Sequence, residues 1–291
     1  ITALAGGVGA ARFLEGLIRL VSEEELKIIV NTGDDIELYG LHVSPDLDIV
    51  MYTLSGIVDQ EKGWGVKEDT FHCLEALQRY GYETWFRLGD KDLATHIQRT
   101  CLLRITILPM TDDKFETIIV TDKGKMHFQE YLVKRCAQDK VVNVEFEGAD
   151  DANPAPGVID SILNSEAAII CPSNPIVSIG TILSLKEVRE ALKATKAKVV
   201  AISPIVGGAP IKGPADKLMD GLGLEVSAYG VAAFYRHFLD AFVIDNVDDT
   251  QKTRIEAMGL DVAVTNTIMK NLEDKVELAK VVLNMVRLDV L

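Results

Sequence analysis

The chain begins with an apolar run, a glycine-rich turn, an amphipathic stretch and a second apolar run, and this order constrains the fold more than any other feature. Residues 1–5 are apolar, the turn from Gly6 to Gly9 contains three glycines, and residues 11–21 place large apolar side chains at helical spacing. Residues 26–31 form the short apolar run typical of a buried parallel strand. The sequence therefore predicts a strand, a tight turn, a helix and a second strand, and residues 1–5 lack the basic flank of a signal peptide.

The same alternation continues along the chain. Apolar runs recur at residues 167–171, 199–203 and 241–244, and helical patterns separate them at residues 186–193 and 216–222. Strands that alternate with helices in this way form a mostly parallel sheet covered on both faces. We predict an α/β fold with a Rossmann-like, mostly parallel sheet.

The middle of the chain has a different pattern. Residues 116–121 and 125–131 flank a short Asp-Lys-Gly segment, which predicts an antiparallel hairpin. Helical stretches at residues 70–80 and 92–103 precede it. We therefore expect a single α/β domain over residues 1–291, with an inserted lobe of helices and a hairpin over about residues 56–147.

Composition excludes some classes of partner. The 291 residues are 48% hydrophobic and 25% charged, with a formal net charge of -14 and no Lys/Arg-rich run, so neither nucleic acid nor an anionic membrane surface is expected to bind. No apolar run approaches the roughly 18 residues of a membrane span. Four scattered cysteines without a C-x-x-C pair predict reduced, mostly buried thiols in a cytoplasmic protein. An amphipathic stretch at residues 272–286 suggests a homodimer contact.

The glycine turn is the first candidate site. Glycines between a strand and a helix let the backbone approach a phosphate, and the helix start offers free N–H groups at Gly6, Gly7, Val8 and Gly9. The turn is not a Walker A loop, because no Lys-Ser/Thr follows. It is also an imperfect dinucleotide fingerprint, because Arg12 occupies the third glycine position. A plain strand-to-helix turn is the alternative.

Acidic residues follow the second strand and begin the next helix. Asp34 and Asp35 come at the strand end, where open parallel sheets bind ligands, and Asp48 falls in the first turn of a helix that Ser44 or Asp46 would cap. Carboxylates suit Mg²⁺, which takes oxygen ligands and bridges phosphates. The alternative interpretation is a solvated turn and a helix-dipole partner.

Two further loops follow predicted strands. Residues 172–180 combine two prolines with hydroxyl and amide groups, and residues 203–208 with 211–214 are rich in glycine and proline. Loops after parallel strands converge at one edge of a sheet. Their combination with the glycine turn favours a ligand site more strongly than any one loop does.

These segments together resemble a known family. The strings GGVGAARFL, NTGDD, SPDLDIVMYTL, GDKDLATH, HFQEYLV, PSNPIVSIG, SPIVGG and IKGPA are similar, in order and spacing, to those of the CofD family of 2-phospho-L-lactate transferases. The similarity runs from Leu4 to about Tyr235, and fewer diagnostic residues follow Phe242.

The resemblance implies a reaction. A guanosine diphosphate ester of lactate (lactyl-2-diphospho-5'-guanosine) donates its 2-phospho-L-lactyl group to the ribityl hydroxyl of FO, the deazaflavin 7,8-didemethyl-8-hydroxy-5-deazariboflavin. GMP leaves, coenzyme F-420-0 forms, and Mg²⁺ is required. Related members use a phosphoenolpyruvyl or phosphoglyceryl donor, and the sequence leaves the three-carbon acid open.

The resemblance also implies residue roles. It places Asp34 and Asp48 at the metal and in catalysis, with Asp35 as an alternative metal ligand, and it places Asp48 and Arg87 on FO. The donor and its nucleotide are expected to contact Gly6, Gly7, Val8, Gly9, Asn31, Thr32, Gly33, Ser173, Asn174 and Lys212.

Two alternatives from other classes remain at this point. A nucleotide-sugar-binding regulatory protein of the same fold shares the glycine turn, but its acidic segment continues with glycines and serines, whereas here Ile36 and Glu37 follow Asp35. An NAD-dependent oxidoreductase is supported only by Gly7, Gly9 and a downstream acidic residue.

Overall fold

The computed structural model describes residues 1–91 and 104–286. The predicted helical stretch at residues 92–103 lies outside the described residues. The strands, in chain order, are β1 (Thr2–Ala5), β2 (Lys27–Val30), β3 (Ile36–Leu38), β4 (Leu41–Val43), β5 (Thr106–Pro109), β6 (Glu116–Thr121), β7 (Gly124–His127), β8 (Val141–Glu147), β9 (Ala167–Ile170), β10 (Lys198–Ile202), β11 (Ile205–Val206), β12 (Ala209–Pro210), β13 (Ala241–Asp245) and β14 (Asp261–Thr265). The α-helices are α1 (Gly7–Leu17), α2 (Pro45–Leu54), α3 (His72–Arg79), α4 (Val158–Leu163), α5 (Ile179–Ser184), α6 (Lys186–Ala194), α7 (Ala215–Gly221), α8 (Ala228–Tyr235), α9 (Lys252–Glu256) and α10 (Leu272–Met285).

The described residues build a seven-stranded central sheet in the order β14-β13-β10-β9-β1-β2-β5, and every neighbouring pair is parallel. The chain proceeds outward from β1 to β2 and β5 on one side, and from β9 to β10, β13 and β14 on the other. The strand order therefore reverses between β1 and β9, and a reversal of this kind opens a crevice at the carboxyl ends of the strands. The predicted α/β fold is confirmed.

The central strands are apolar because helices cover both faces of the sheet. All residues of β1 and β9 are buried. One face packs against α1, α2 and α10, and the other face packs against α4 to α8. Burial on both faces removes the alternation that a half-exposed strand would show, and for this reason the strands are recognisable as continuous apolar runs.

The antiparallel elements lie outside this sheet. Strands β6, β7 and β8 form a three-stranded sheet, and the predicted hairpin is present with β7 ending at His127. A π-helical turn, Glu130–Lys134, follows, so the second strand is shorter than predicted. The division into one domain with a lobe over residues 56–147 stays a prediction, and within that range β5 belongs to the central sheet.

The last described helix packs inside the chain. The apolar side chains of α10, among them Leu278 and Val282, are buried in the same core as Phe13 and Leu17 of α1. The apolar face of residues 272–286 thus packs against the core of its own chain. The homodimer stays a prediction. No helix in the described part of the chain is long and apolar enough to cross a bilayer.

Cysteine burial differs from the prediction. Cys171, at the end of β9, is buried, whereas Cys73 and Cys136 are exposed. Cys101 lies outside the described residues.

Candidate functional site

The glycine turn is the first turn of α1. The helix starts at Gly7, four residues before the start that the amphipathic pattern predicts, and Gly7 has φ of +68°. The Gly6 N–H donates to Ser173 Oγ (3.3 Å), and the Gly7 backbone hydrogen-bonds to Asp46. Protein groups therefore engage these two backbone amides, and Val8 and Gly9 carry the next N–H groups at the positive end of the helix.

Gly9 brings two loops together at the strand reversal. A Cβ atom at this position would lie 2.2 Å from the carbonyl oxygen of Pro172, in the loop after β9. Only glycine permits this contact. The turn after β1 and the loop after β9 are consequently in contact at the strand reversal, where a ligand is expected.

Asn31 organises the loop after β2 and is fully buried. Its Nδ2 donates to Asp46 Oδ2 (2.9 Å) and to the Val177 carbonyl (3.2 Å), and its Oδ1 accepts from the Gly33 N–H (2.9 Å). All these contacts are internal. Asn31 therefore links its own loop to the first turn of α2 and to the loop after β9. Thr32 likewise donates internally, to the Thr111 carbonyl (3.4 Å).

Two carboxylates follow at the edge of the sheet. Burial, and next the charge of Asp46, hold the pKa of Asp34 well above its ordinary range. Burial raises the pKa of Asp35 to about 6, against hydrogen bonds from Ser44 (2.7 Å) and His42 (2.9 Å) that lower it. The Oδ1 atoms of Asp34 and Asp35 are both buried without a hydrogen-bond partner.

The first turn of α2 adds two more buried carboxylates. Asp46 lies against Asn31 and Gly7, and burial raises its pKa to about 7 although both of these hydrogen bonds lower it. Asp48 is 7% exposed, and its negative charge contributes to the raised pKa of Asp35. Ser44 is the N-cap residue of α2, as one of the two predicted alternatives had it, but its hydroxyl donates to Asp35 and makes no capping hydrogen bond to the helix backbone.

The acidic site, defined as Asp34, Asp35, Asp46 and Asp48, offers the kind of oxygen ligands that Mg²⁺ takes. Carboxylate oxygens are the donors that Mg²⁺ prefers, and two of them here are buried and lack a partner. Within residues 1–91 and 104–286 no three acidic, histidine or cysteine side chains are already gathered around one point. Mg²⁺ commonly uses one or two carboxylates and completes its shell with water and substrate phosphate, and the acidic site matches that mode.

Protonation of the acidic site should couple to stability. The pKa values of Asp35 and Asp46 are higher in the folded chain than the ordinary value of 3.8, so the folded protein binds more protons between about pH 4 and pH 7. The free energy of unfolding should therefore fall by several kcal/mol, summed over the two carboxyl groups, as the pH rises through this window, and it should level off above it.

Urea unfolding of metal-free protein from pH 4 to pH 8, for wild type and Asp46→Asn, measures this effect. His127, whose pKa burial lowers, acts in the opposite direction but is common to both proteins. The difference between the two curves therefore isolates Asp46. Parallel curves would show that Asp46 has an ordinary pKa.

Two cations lie near each other beside α1. The Nη2 atom of Arg12 and the Nζ atom of Lys212 lie 3.4 Å and 3.7 Å from the point where a Cβ atom at Gly63 would stand. Burial, and then the charge of Arg12, lower the pKa of Lys212. Among the described residues no carboxylate forms an ion pair with either cation. Two neighbouring cations repel each other, and an anion bound between them would offset this repulsion. In a chain of net charge -14, this cation pair of Arg12 and Lys212 is therefore a candidate anion site.

Comparison with known proteins identifies the family. The family described as 2-phospho-L-lactate transferase CofD matches residues 1–106 and 101–282. The chain is 43% identical to a 2-phospho-L-lactate transferase of Methanocaldococcus jannaschii, with 96% of each chain covered. The chain belongs to the CofD family. It is thus a transferase of the 2-phospho-L-lactate transferase family, and the predicted resemblance is confirmed.

Relatives of the CofD chain carry two kinds of name. A 2-phospho-L-lactate transferase of Methanococcoides burtonii is 40% identical over 95% of this chain and 96% of its own. A phosphoenolpyruvate transferase of Streptomyces avermitilis is 42% identical, with 96% of each covered. A solved structure of a upf0052 family protein from Bacillus halodurans has a TM-score of 0.59 and 16% identity over 97% of both chains, which supports the fold alone.

The loop after β9 lies at the strand reversal, beside the glycine turn. Ser173 is buried and accepts from the Gly6 N–H. Asn174 Oδ1 accepts from the N–H groups of Ile176 (3.0 Å) and Val177 (3.3 Å), so this side chain shapes its own loop. Donor contacts of both residues stay predictions.

Arg87 lies on a separate part of the described chain. It is exposed, and its guanidinium stacks on the Phe71 ring at 4.2 Å from the ring centroid. No described contact joins Arg87 to the acidic site. The binding of FO by Arg87 stays a prediction.

Sequence reasoning misses three members of the site. The sequence pattern indicates only a helix cap at Asp46 and only a departure from a glycine motif at Arg12. It gives no role to Thr117 of β6, whose hydroxyl lowers the pKa of Asp34. A signal is present for Asp46, because two aspartates two residues apart in a first helical turn cannot both be simple caps. No local signal points to Thr117, since its partner lies far away in sequence.

Proposed function

We propose that this enzyme transfers a 2-phospho-L-lactyl group from lactyl-2-diphospho-5'-guanosine to the ribityl hydroxyl of FO. The products are coenzyme F-420-0 and GMP, and Mg²⁺ is the cofactor. A phosphoenolpyruvyl donor is the second candidate, because relatives named phosphoenolpyruvate transferase are as similar to the chain as those named for phospholactate.

One observation carries this proposal: α1 connects an acidic site to a cation pair. Gly7 contacts Asp46 at the start of the helix, and Arg12 lies five residues further, about 7.5 Å along the axis. A diphosphate bound along this helix would share its charge between a metal at the carboxylates and the cations beyond. The N–H groups of Val8 and Gly9 lie between the two.

The proposed reaction follows from these positions. The FO hydroxyl oxygen forms a bond to the phosphorus that carries lactate. The bond between that phosphorus and the oxygen that bridges the two phosphates breaks, and GMP leaves with its electron pair. Asp48 accepts the hydroxyl proton, since a carboxylate near the metal edge is suited to that role. Bound at Asp34 and Asp48, Mg²⁺ would neutralise the charge that spreads over the phosphoryl oxygens.

Product analysis tests this proposal. Purified enzyme is incubated with FO, Mg²⁺ and, in separate reactions, the lactyl, phosphoenolpyruvyl and phosphoglyceryl guanosine diphosphates. Mass spectrometry should detect GMP and the matching deazaflavin phosphodiester in equal amounts. GMP without the phosphodiester would show hydrolysis, and the absence of both products with every donor would refute the proposal.

Arg87→Ala should raise the KM for FO about tenfold and leave GDP affinity near wild type. The planar guanidinium already stacks on Phe71, and a deazaflavin ring offers a similar face. Losing one charge-assisted contact of about 1.5–3 kcal/mol accounts for the change. FO titration by fluorescence and GDP titration by calorimetry measure it.

Arg87→Lys is the matched control, because it keeps the charge and removes the plane. It should retain only part of the FO affinity. An unchanged FO affinity in Arg87→Ala would assign Arg87 to the protein surface instead, where single contacts are worth ~0–1 kcal/mol.

A further inference from the structure

The donor hairpin, defined as residues 205–212, carries Lys212 toward Arg12. Its strands β11 and β12 pair through Ile205 with Pro210 and Val206 with Ala209. The intervening Gly207 and Gly208 have φ of +60° and +80°, which is the two-residue turn geometry that glycine favours. Lys212 follows two residues after β12, so the position of the hairpin determines where this cation lies.

A buried carboxylate from the last quarter of the chain holds the turn. Asp248 lies in the 3-10 segment Asn246–Gln251 and is 3% exposed. Its Oδ2 accepts from the Gly207 N–H (3.0 Å), and its Oδ1 accepts from Gln251 Nε2 (2.8 Å). Both carboxylate oxygens therefore have defined donors, and the side chain of Val247 lies over the turn.

Gln251 extends this chain of hydrogen bonds to a helix. Its Oε1 accepts from the Tyr229 N–H (2.9 Å) in the first turn of α8. The neighbouring Ser227 caps the same helix by accepting from the Gly230 N–H (3.0 Å). Because α8 belongs to the main core, the hydrogen bonds through Gln251 and Asp248 connect the donor hairpin to a fixed element.

We propose that Asp248 and Gln251 are positioning residues for the donor: their hydrogen bonds set the height of the donor hairpin and so place Lys212 against the donor's phosphates. This proposal rests on the proposed function for the identity of the donor. It assigns a role to the segment after β13, where the family motifs are sparse.

The hydrogen-bond directions allow a sharp test. In Asp248→Asn the amide must present an N–H either to Gly207 or to Gln251, and both are donors, so one contact is lost. In Gln251→Glu two carboxylates face each other. In the double variant Asp248→Asn, Gln251→Glu, the amide introduced at position 248 donates to the carboxylate introduced at position 251, and Gly207 and Tyr229 keep their acceptors. The double variant has the same net charge as wild type.

Calorimetric titration with GDP and fluorescence titration with FO measure the effect on all four proteins. Each single variant should bind GDP about tenfold more weakly with FO affinity unchanged, and the double variant should return to within about twofold of wild type. A purely structural role would not produce this separation of the ligands or the recovery. Wild-type GDP affinity in either single variant, or no recovery in the double variant, would overturn the proposal.

Amide hydrogen exchange separates this proposal from the proposed function. If wild type bound no GDP, the proposed function would fail, while exchange across residues 205–212 would still test the anchor. Faster exchange in the single variants and recovery in the double variant would support the anchor. Equal exchange in all four proteins would overturn it.

Discussion

Asparagine in place of Asp34 or Asp48 should lower kcat about a hundredfold or more while the protein stays folded. At Asp34 the substitution should even stabilise the metal-free protein, because burial and the charge of Asp46 already favour the neutral form of this side chain. Loss of a group that stabilises developing charge typically costs two to three orders of magnitude. Turnover at saturating substrates and thermal unfolding of the same preparations measure the two effects.

Asp112→Asn is the matched control for these variants. Asp112 is an exposed aspartate shortly after β5, so the variant removes the same charge without touching the acidic site. Its turnover should equal that of wild type. Wild-type turnover in Asp34→Asn and Asp48→Asn would remove both residues from catalysis.

Metal removal is expected to have the same consequence as these substitutions. Transfer should stop in chelator and return with Mg²⁺, and the chelated protein should unfold at a lower temperature above pH 7, where Asp35 and Asp46 lose their protons. Full activity after thorough metal removal would refute a role for Mg²⁺.

The sequence was sufficient to predict the fold because the fold depends mainly on the burial of apolar side chains, which leaves a local pattern in the sequence. Strands buried on both faces are continuous apolar runs, as at residues 167–171, and helices show their spacing locally, as at residues 186–193. The regions that differed depend on other contacts. The π-helical turn Glu130–Lys134 shortens β7, and its tertiary surroundings leave no local pattern.

The sequence predicted which loops lie next to each other at the candidate site, but it did not predict which side chains form hydrogen bonds there. The positions of the turn after β1 and the loop after β9 follow from parallel topology, and Gly9 against Pro172 shows their contact. The partners of Asn31 could not be predicted, since Asp46 lies in the first turn of α2 and Val177 in the loop after β9, both distant from Asn31 in sequence. Hydrogen bonds of this kind depend on tertiary distances that no local spacing encodes.

Methionine in place of Arg12 or Lys212 should weaken donor binding and, at the same time, stabilise the protein without donor. The two cations lie close together, and neither pairs with a carboxylate in the described structure, so removing one relieves repulsion. Methionine keeps most of the apolar stem, so packing changes little. With donor bound, each cation contributes a charge-assisted contact of about 1.5–3 kcal/mol, or about ten- to a hundredfold in affinity.

Calorimetry with GDP and thermal unfolding without ligand test the two opposite signs, with Arg19→Met as the control. Arg19 lies just beyond the end of α1 and is exposed, so this variant changes the net charge equally but leaves the cation pair intact. Its GDP affinity should stay near that of wild type. Both cations act on one diphosphate, and removing either one relieves the electrostatic repulsion on the other. The double variant should therefore lose less affinity than the sum of the two single losses. Additive losses would mean that Arg12 and Lys212 bind separate groups, and GDP affinity unchanged in both single variants would place the donor's phosphates elsewhere.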